Sequence, residues 1–451
     1  MKKHRLDGQN ILVFGMGLSG VAATRLLLKV GASVVFFDTK EVEDERINSE
    51  FQGVCQVRYG SLTEQDLHAI DIVVISPGIP LDLPIVEEWK QRGLPIWGEI
   101  ELAYVCGSGD VLAITGTNGK TTTTALLGEI MKVYQENSFV VGNIGIPYTE
   151  IALQTNEDSI IVAEVSSFQL ESIHSFHPKV SAILNITEDH LDRHHTMEAY
   201  IEAKKAITNN QTTDDFCILN YDNDITRELG KQMAAQVIYF SRHERLDKGL
   251  YIVDGQIVSR IHKREVICDL DQLRLLGEHN HENAMAAIAM ALCYGVPTNV
   301  IREALYTFKG VAHRLEYVTE FHGVVYYNDS KGTNPDAAIK GIKAMNRPTI
   351  LIGGGYDKDS HYDEWIEAFD GKVKHLVLLG ATKNKIKECA IKQGFEHITL
   401  VDDLQEAVTV SRQYARPGDA VLLSPACASW GMYKDFEERG DHFKKIISNL
   451  S

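Results

Sequence analysis

Apolar positions in this chain fall in short unbroken runs, each followed by a polar, glycine-rich stretch. Near the start, Ile11-Leu12-Val13-Phe14, Ser33-Val34-Val35-Phe36-Phe37-Asp38 and Asp71-Ile72-Val73-Val74-Ile75 have this form. A run of about four to eight apolar residues bounded by turn residues reads as a strand buried on both faces. Between the first two, Val21 to Lys29 reads as a helix, ended by Gly31. The alternation continues with Val111 to Ile114, then Ile160-Ile161-Val162-Ala163, then Val180 to Ile186. Residues 212–275 carry short runs such as Val237-Ile238-Tyr239-Phe240 and read as β-rich, whereas Ala-rich Glu282 to Tyr294 reads as a helix closed by Gly295 and Pro297. Beyond Gly310, Val324 to Asn328, Thr349 to Gly353, His375 to Gly380 and Ala420 to Ser424 are again strand-like.

Strands alternating with helices predict mostly parallel sheets. The fold class expected is α/β in three domains. A Rossmann-like domain spans 1–98, a central P-loop-type ATPase domain 99–310, and a second Rossmann-like domain 311–451. No repeat of 20–50 residues is present.

Bulk composition narrows the function classes. The 451 residues are 44% hydrophobic and 24% charged, an ordinary globular profile. A net charge of −17 argues against a nucleic-acid partner, which needs a basic surface. Seven scattered cysteines without a CxxC pair fit reduced thiols in the cytoplasm better than disulfides or a zinc site. No signal peptide and no apolar run of about 18 residues is evident, so a cytoplasmic protein with no membrane span is expected.

The candidate chemistry gathers after the strand runs. Val111 to Ile114 leads into Gly116-Thr117-Asn118-Gly119-Lys120-Thr121, and a helical stretch follows. Strand, Gly-Lys-Thr loop and helix is how a chain cradles a polyphosphate. Backbone N–H groups and the helix N-terminus face the anion, Lys120 neutralises it, and Thr121 can ligate Mg²⁺. The loop is shorter than GxxxxGK[ST], since position 114 is Ile. Gly15, Gly17 and Gly20, with Asp38 downstream, form a GxGxxG turn that suits NAD, FAD or another diphosphate ligand. Glu164 closes a strand where a Walker-B carboxylate would hold Mg²⁺. Glu188-Asp189-His190-Leu191-Asp192-Arg193-His194-His195 has the composition of a Mg²⁺ or Mn²⁺ cluster; His190 is the site candidate, and His194 and His195 are expected to be solvent-exposed loop residues. Asn328 to Pro335 and Gly353 to Lys358 are polar or glycine-rich βα turns able to contact an anionic ligand. Cys427 has no base supplied by a motif and reads as a packing residue.

Six of these motifs, in order, resemble the Mur ligase superfamily: Gly116 to Thr121, Glu164 to Glu171, Asn185 to Asp192, His279 to Asn283, Asn328 to Asn334 and Ser424 to Ser429. The last two resemble the branch that adds D-glutamate. The resemblance implies an ATP-dependent amide-bond-forming ligase that joins D-glutamate to UDP-N-acetylmuramoyl-L-alanine through an acyl phosphate, with two Mg²⁺ (Mn²⁺ as a substitute), as a monomer. It implies catalytic roles for Lys120, Glu164, His190 and Lys204, and metal ligation by Thr121, Glu164, His190 and a carbamylated Lys204. The spacing from Tyr200 selects Lys204 over adjacent Lys205. ATP would meet Gly116, Thr117, Asn118, Gly119, Lys120, Thr121, Thr122, Asn280, Asn283, Arg314, Asp329 and Lys331. The UDP-substrate would meet Leu18, Ser19, Lys40, Gly78, Asn143 and His190; Lys40 stands where Arg is expected. D-Glutamate would meet Thr333, Lys358, Ser429 and Phe436, in a loop around Lys358 one residue longer than the pattern. The related folylpolyglutamate synthetases are the alternative within the superfamily. An NAD-dependent oxidoreductase would leave the phosphate loop unexplained, and a non-catalytic nucleotide-binding protein would leave the metal-type residues so.

Overall fold

The computed structural model describes residues 5–41 and 45–450, so the basic segment at residues 1–4 lies outside it. The chain forms two compact units, residues 1–268 with 282–304, and residues 269–281 with 305–451.

The first unit holds two sheets. In the N-terminal one, β1 (Asn10–Phe14), β2 (Ser33–Asp38), β3 (Gln56–Tyr59), β4 (Ile72–Ile75) and β5 (Ile96–Gly98) lie in the order β3-β2-β1-β4-β5, all parallel. Their apolar runs are buried on both faces: Ile11, Leu12 and Val13 are wholly buried, and Phe14 packs on Phe37 and edge-on to Trp89. The strand order reverses between β1 and β4, and the loops that leave these two strands open a crevice there, the usual place for a ligand. Two glycines build that crevice. A Cβ on Gly20 would sit 1.8 Å from the Gly15 carbonyl oxygen, and one on Gly15 would sit 2.8 Å from Ser76 Oγ, which itself donates to that carbonyl at 3.1 Å. The helix expected from Val21 starts at Leu18, so Leu18 and Ser19 form its first turn rather than a loop.

The second sheet has nine strands: β6 (Asp110–Thr115), β7 (Ser138–Gly142), β8 (Ile160–Glu164), β9 (Val180–Ile183), β10 (Phe216–Asn220), β11 (Gln236–Ser241), β12 (Gly249–Val253), β13 (Gln256–Ser259) and β14 (Glu265–Asp269). The order is β14-β13-β12-β11-β10-β9-β6-β8-β7. Strand β6 lies between β8 and β9, parallel to both, so the ends of these three strands share one sheet edge. The β-rich expectation for 212–275 corresponds to β10–β14, with β12 and β13 forming an antiparallel hairpin. The Ala-rich helix runs Glu278–Tyr294, four residues longer at its start than its composition indicated.

In the other unit, β15 (Glu316–Phe321), β16 (Val324–Asn328), β17 (Thr349–Gly353), β18 (Val373–Leu378), β19 (Ile398–Leu400) and β20 (Ala420–Leu423) lie in the order β15-β16-β20-β17-β18-β19. Only β15 runs antiparallel. One face packs on Trp365 and Ile386, the other on Leu404, Val408 and Phe443. Because β20 sits between β16 and β17, the loops after these three strands are neighbours on one edge.

Candidate functional site

The phosphate loop leaves the edge where β6, β8 and β9 end. Gly116 has φ 152° and Gly119 φ 86°, the left-handed side that glycine adopts without strain. Gly119 caps the helix Lys120–Tyr134, so that helix's free N–H groups open onto the loop. The loop is pinned from β9's side. Thr117 N–H donates to the Asn185 carbonyl at 2.9 Å and Asn118 N–H to Asn185 Oδ1 at 2.9 Å, while Asn185 Nδ2 returns a bond to the Asn118 carbonyl at 3.1 Å. Lys120 curls back, its Nζ donating to the Gly116 and Thr117 carbonyls at 2.9 Å each. Thr121 is half-buried and Thr122 buried in the helix's first turn.

Lys204 meets the same loop. It lies on the helix Met197–Lys205, is 1% exposed, and donates to the Gly116 carbonyl at 2.8 Å. Its ammonium sits 4.6 Å over the Tyr200 ring, one turn earlier on the same helix face. Burial, helped by the neighbouring Lys120 charge, lowers its pKa to about 7. Adjacent Lys205 is half-buried and pairs with Glu202 at 3.2 Å. One carbonyl, that of Gly116, thus accepts from two lysines.

Glu164, at the end of β8, is 1% exposed. Its Oε1 accepts from Asn143 Nδ2 at 2.8 Å, and its Oε2 is buried with no hydrogen-bond partner. An unpaired buried carboxylate oxygen costs more than about 1–3 kcal/mol, and a cation or a donor from a ligand relieves it. This is the donor chemistry that Mg²⁺ selects: hard oxygen, at a sheet edge, beside a phosphate loop. Among the described residues, no three His, Cys, Asp or Glu side chains converge on one point.

The acidic, histidine-rich segment divides differently from its sequence reading. His190, at φ 53°, is exposed, its ring edge-on to Phe168 at 5.0 Å and Nε2 3.5 Å from Asp189. His195 is exposed as expected, near Asp82. His194 corrects its expectation: it is buried, with Nε2 2.9 Å from Ser167 Oγ, Nδ1 3.3 Å from Glu171, and its ring stacked on Phe168. A one-turn helix, Leu191–His194, points it inward, and burial lowers its pKa. Arg193, not singled out from sequence, bonds Glu171 at 2.7 Å and the Ile79 carbonyl at 3.1 Å, joining this segment to the loop after β4 that carries Gly78.

At the N-terminal crevice, Leu18 is 78% exposed and Ser19 half-buried. Asp38 accepts from the backbone N–H of Met16 at 3.0 Å and of Lys40 at 3.3 Å, so its carboxylate shapes the glycine turn; the Lys40 side chain is exposed. Asn283 lies beside the phosphate loop: its Oδ1 accepts from Thr123 at 3.4 Å, and a Cβ on Gly119 would sit 2.1 Å from that atom. Asn280, buried, donates to the Leu276 carbonyl at 2.7 Å within the other unit.

The loops after β16, β17 and β20 make up the second unit's edge. Asp329 is buried and accepts from Ser424 Oγ at 2.7 Å and Leu315 N–H at 3.2 Å; burial pushes its pKa up to about 7. Arg439, unremarkable in sequence, is 3% exposed and clasps two loops, donating to Ser330 Oγ at 2.9 Å, the Ser330 carbonyl at 2.8 Å and the Cys427 carbonyl at 3.2 Å. Ser330 Oγ in turn donates to the Phe436 carbonyl at 2.8 Å. Lys331 is exposed over the Phe436 ring at 5.5 Å, Thr333 is half-buried, Ser429 is buried, and Arg314 and Lys358 are exposed. The Cys427 thiol is buried beside Tyr362 and Thr382, and burial pushes its pKa up, the opposite of an activated nucleophile.

Residues 9–98 match the model "Mur ligase MurD-like, N-terminal domain", residues 114–291 "Mur ligase middle domain", and residues 313–427 "Mur ligase, glutamate ligase domain". The chain is 52% identical over 98% of its length to a "UDP-N-acetylmuramoylalanine--D-glutamate ligase" of Lachnoclostridium phytofermentans, 98% of which is covered. A Clostridioides difficile protein of that name is 48% identical, with 99% of each chain covered. Among solved structures, MurF from Acinetobacter baumannii aligns with a TM-score of 0.58 at 17% identity, over 92% of this chain and 90% of that one. UDP-N-acetylmuramate-alanine ligase from Thermotoga maritima aligns with a TM-score of 0.56 at 19% identity, over 98% of this chain and 100% of that one. These two share the α/β fold, and the relatives of about 50% identity go further: the chain belongs to the Mur ligase family of ATP-dependent ligases that form amide bonds.

Proposed function

We propose that this chain joins D-glutamate to UDP-N-acetylmuramoyl-L-alanine in peptidoglycan precursor synthesis, with ATP supplying the energy through an acyl phosphate. The observation that carries the reading is the phosphate loop flanked by a buried lysine and a buried, half-paired carboxylate on one sheet edge. Full-length relatives bearing the D-glutamate ligase name support the choice of substrates.

The physical difficulty is that a carboxylate must approach a triphosphate. Lys120 and the N–H groups of residues 116–121 offset that repulsion, as preorganised donors do where charge develops. A carboxylate oxygen of the UDP-linked L-alanine attacks the γ-phosphorus, the bond to the bridging oxygen breaks, and ADP leaves with the electron pair. The amine of D-glutamate, unprotonated, then attacks the acyl carbon. The carbon–oxygen bond to phosphate breaks, the nitrogen loses a proton, and amide and phosphate remain.

Thr121, Glu164, His190 and a carbamate on Lys204 would hold two Mg²⁺ ions, which would supply further neutralisation of the triphosphate. The unpaired Glu164 Oε2 suits that role. A pKa near 7 leaves much of Lys204 as free amine, the only form that attacks CO₂ to give an N-bound carboxylate and a proton. In this reading residues 1–98 bind the UDP-sugar through Leu18, Ser19, Lys40 and Gly78. Residues 99–310 bind ATP, and residues 311–451 bind D-glutamate through Thr333, Lys358, Ser429 and Phe436. A cytoplasmic monomer fits this division of labour.

Purified protein is expected to release phosphate from ATP only when UDP-N-acetylmuramoyl-L-alanine and D-glutamate are both present. Turnover with L-glutamate and a folate in their place would transfer the chain to the folylpolyglutamate synthetases.

A further inference from the structure

The turn after β17 is held against the loop after β20. Gly354 N–H donates to the Pro425 carbonyl at 2.8 Å and Tyr356 N–H to the Ala428 carbonyl at 2.9 Å. Tyr356 packs edge-on to Trp430 at 5.7 Å, and both rings are exposed, at 45% and 53%. Lys358 rests on the Trp430 face, its Nζ 4.5 Å from the ring centroid. That placement is unexpected for a lysine flanked in sequence by Asp357 and Asp359. Both aspartates are taken by another cation: Lys385 Nζ lies 3.2 Å from the Asp357 carboxylate and 3.6 Å from that of Asp359. The Asp357 carboxyl accordingly lies below its ordinary range. Among the described residues no ion pair engages Lys358.

We propose that Lys385 and Trp430 are positioning residues for the amino-acid substrate. Lys385 occupies the two aspartates that would otherwise capture Lys358, and Trp430 holds the Lys358 ammonium by its ring face. The ammonium then meets the side-chain carboxylate of D-glutamate without first breaking an ion pair. The inference rests on the reading that Lys358 binds that carboxylate. A cation over an exposed ring is a weak, easily exchanged contact, whereas a carboxylate partner would compete directly with substrate.

The test is steady-state kinetics of the full chain. Freeing two exposed carboxylates to compete weakly for Lys358 is expected to raise the KM for D-glutamate about two- to fivefold in Lys385→Ala. The kcat and the KM values for ATP and UDP-substrate stay put, and Lys385→Arg restores the wild-type value. Adding Asp357→Asn and Asp359→Asn to Lys385→Ala also restores it, because no competitor remains. Those two aspartate changes alone leave KM unchanged if competition is the cause; a fall in KM would mean that net charge was, and would overturn the proposal. Trp430→Ala raises the same KM and Trp430→Phe does not. Lys385→Ala at the wild-type KM would also overturn the proposal. Lys358→Ala separates the two levels: if it leaves the D-glutamate KM unchanged, the underlying assignment of Lys358 fails instead.

Discussion

Lys204 carries the charge chemistry proposed beside the phosphate loop. Its Ala-Lys-Lys-Ala helix offers two adjacent lysines, of which the spacing from Tyr200 favours Lys204; burial and the bond to the Gly116 carbonyl agree with that choice. Lys204→Ala is expected to lose at least about a hundredfold in kcat, the scale of losing one preorganised charge in an active site. A short-chain carboxylic acid added to that variant partly restores turnover, because it returns a carboxylate to the vacated space. Full activity of the alanine variant without additive would remove the carbamate from the mechanism. Chemistry at Lys204 was thus open to sequence reasoning only through family resemblance. His194 and Arg439 were not open to it at all. Each is polar and lies in a polar stretch, and each is buried because a short helix or a docking helix turns it inward, a tertiary effect that local pattern does not encode.

At the scale of elements, the central strands were legible because parallel sheets covered on both faces demand unbroken apolar runs, whereas the half-exposed edge strands β3, β7, β15 and β19 carry no such run. Helix starts were less so: Leu18–Lys29 and Glu278–Tyr294 both begin earlier than their apolar periodicity, since their first turns hold exposed Leu18, Glu278 and His279 together with small or polar residues that fall outside the apolar pattern. The phosphate loop is the element whose geometry tolerates least. Gly119→Ala would force φ 86° on an L-residue, at about 1–2 kcal/mol, and push its Cβ onto Asn283. The KM for ATP is expected to rise about tenfold or more. Binding of UDP-substrate alone, followed by calorimetry, should not change, because the N-terminal turn is a separate element. Loss of both would mean that the loop change had spread through the unit.

At the scale of the whole molecule, stability should carry the mark of Asp329. Its pKa rises from 3.8 in the unfolded chain to about 7 in the fold. Between those values the folded chain holds a proton that the unfolded chain has released, so stability falls as pH rises. The contribution is complete below 3.8 and gone above about 7. Urea unfolding across this window is expected to show a steeper decline for the wild type than for Asp329→Asn, whose amide is neutral at every pH. Parallel curves for the two proteins would mean that Asp329 is solvated in the fold. With a net charge of −17 both curves also include general self-repulsion, which the comparison cancels.

The close approach of Gly20 to the Gly15 carbonyl has a consequence for inhibitor design. Every replacement of Gly20 brings in a Cβ, and that atom would collide with main chain at 1.8 Å, so position 20 has no viable neighbour in sequence space. A compound lodged on the backbone of residues 15–20 would lean on atoms whose positions drug-resistant strains cannot easily revise. One that leaned on the side chain of exposed Leu18 would leave them an easy escape.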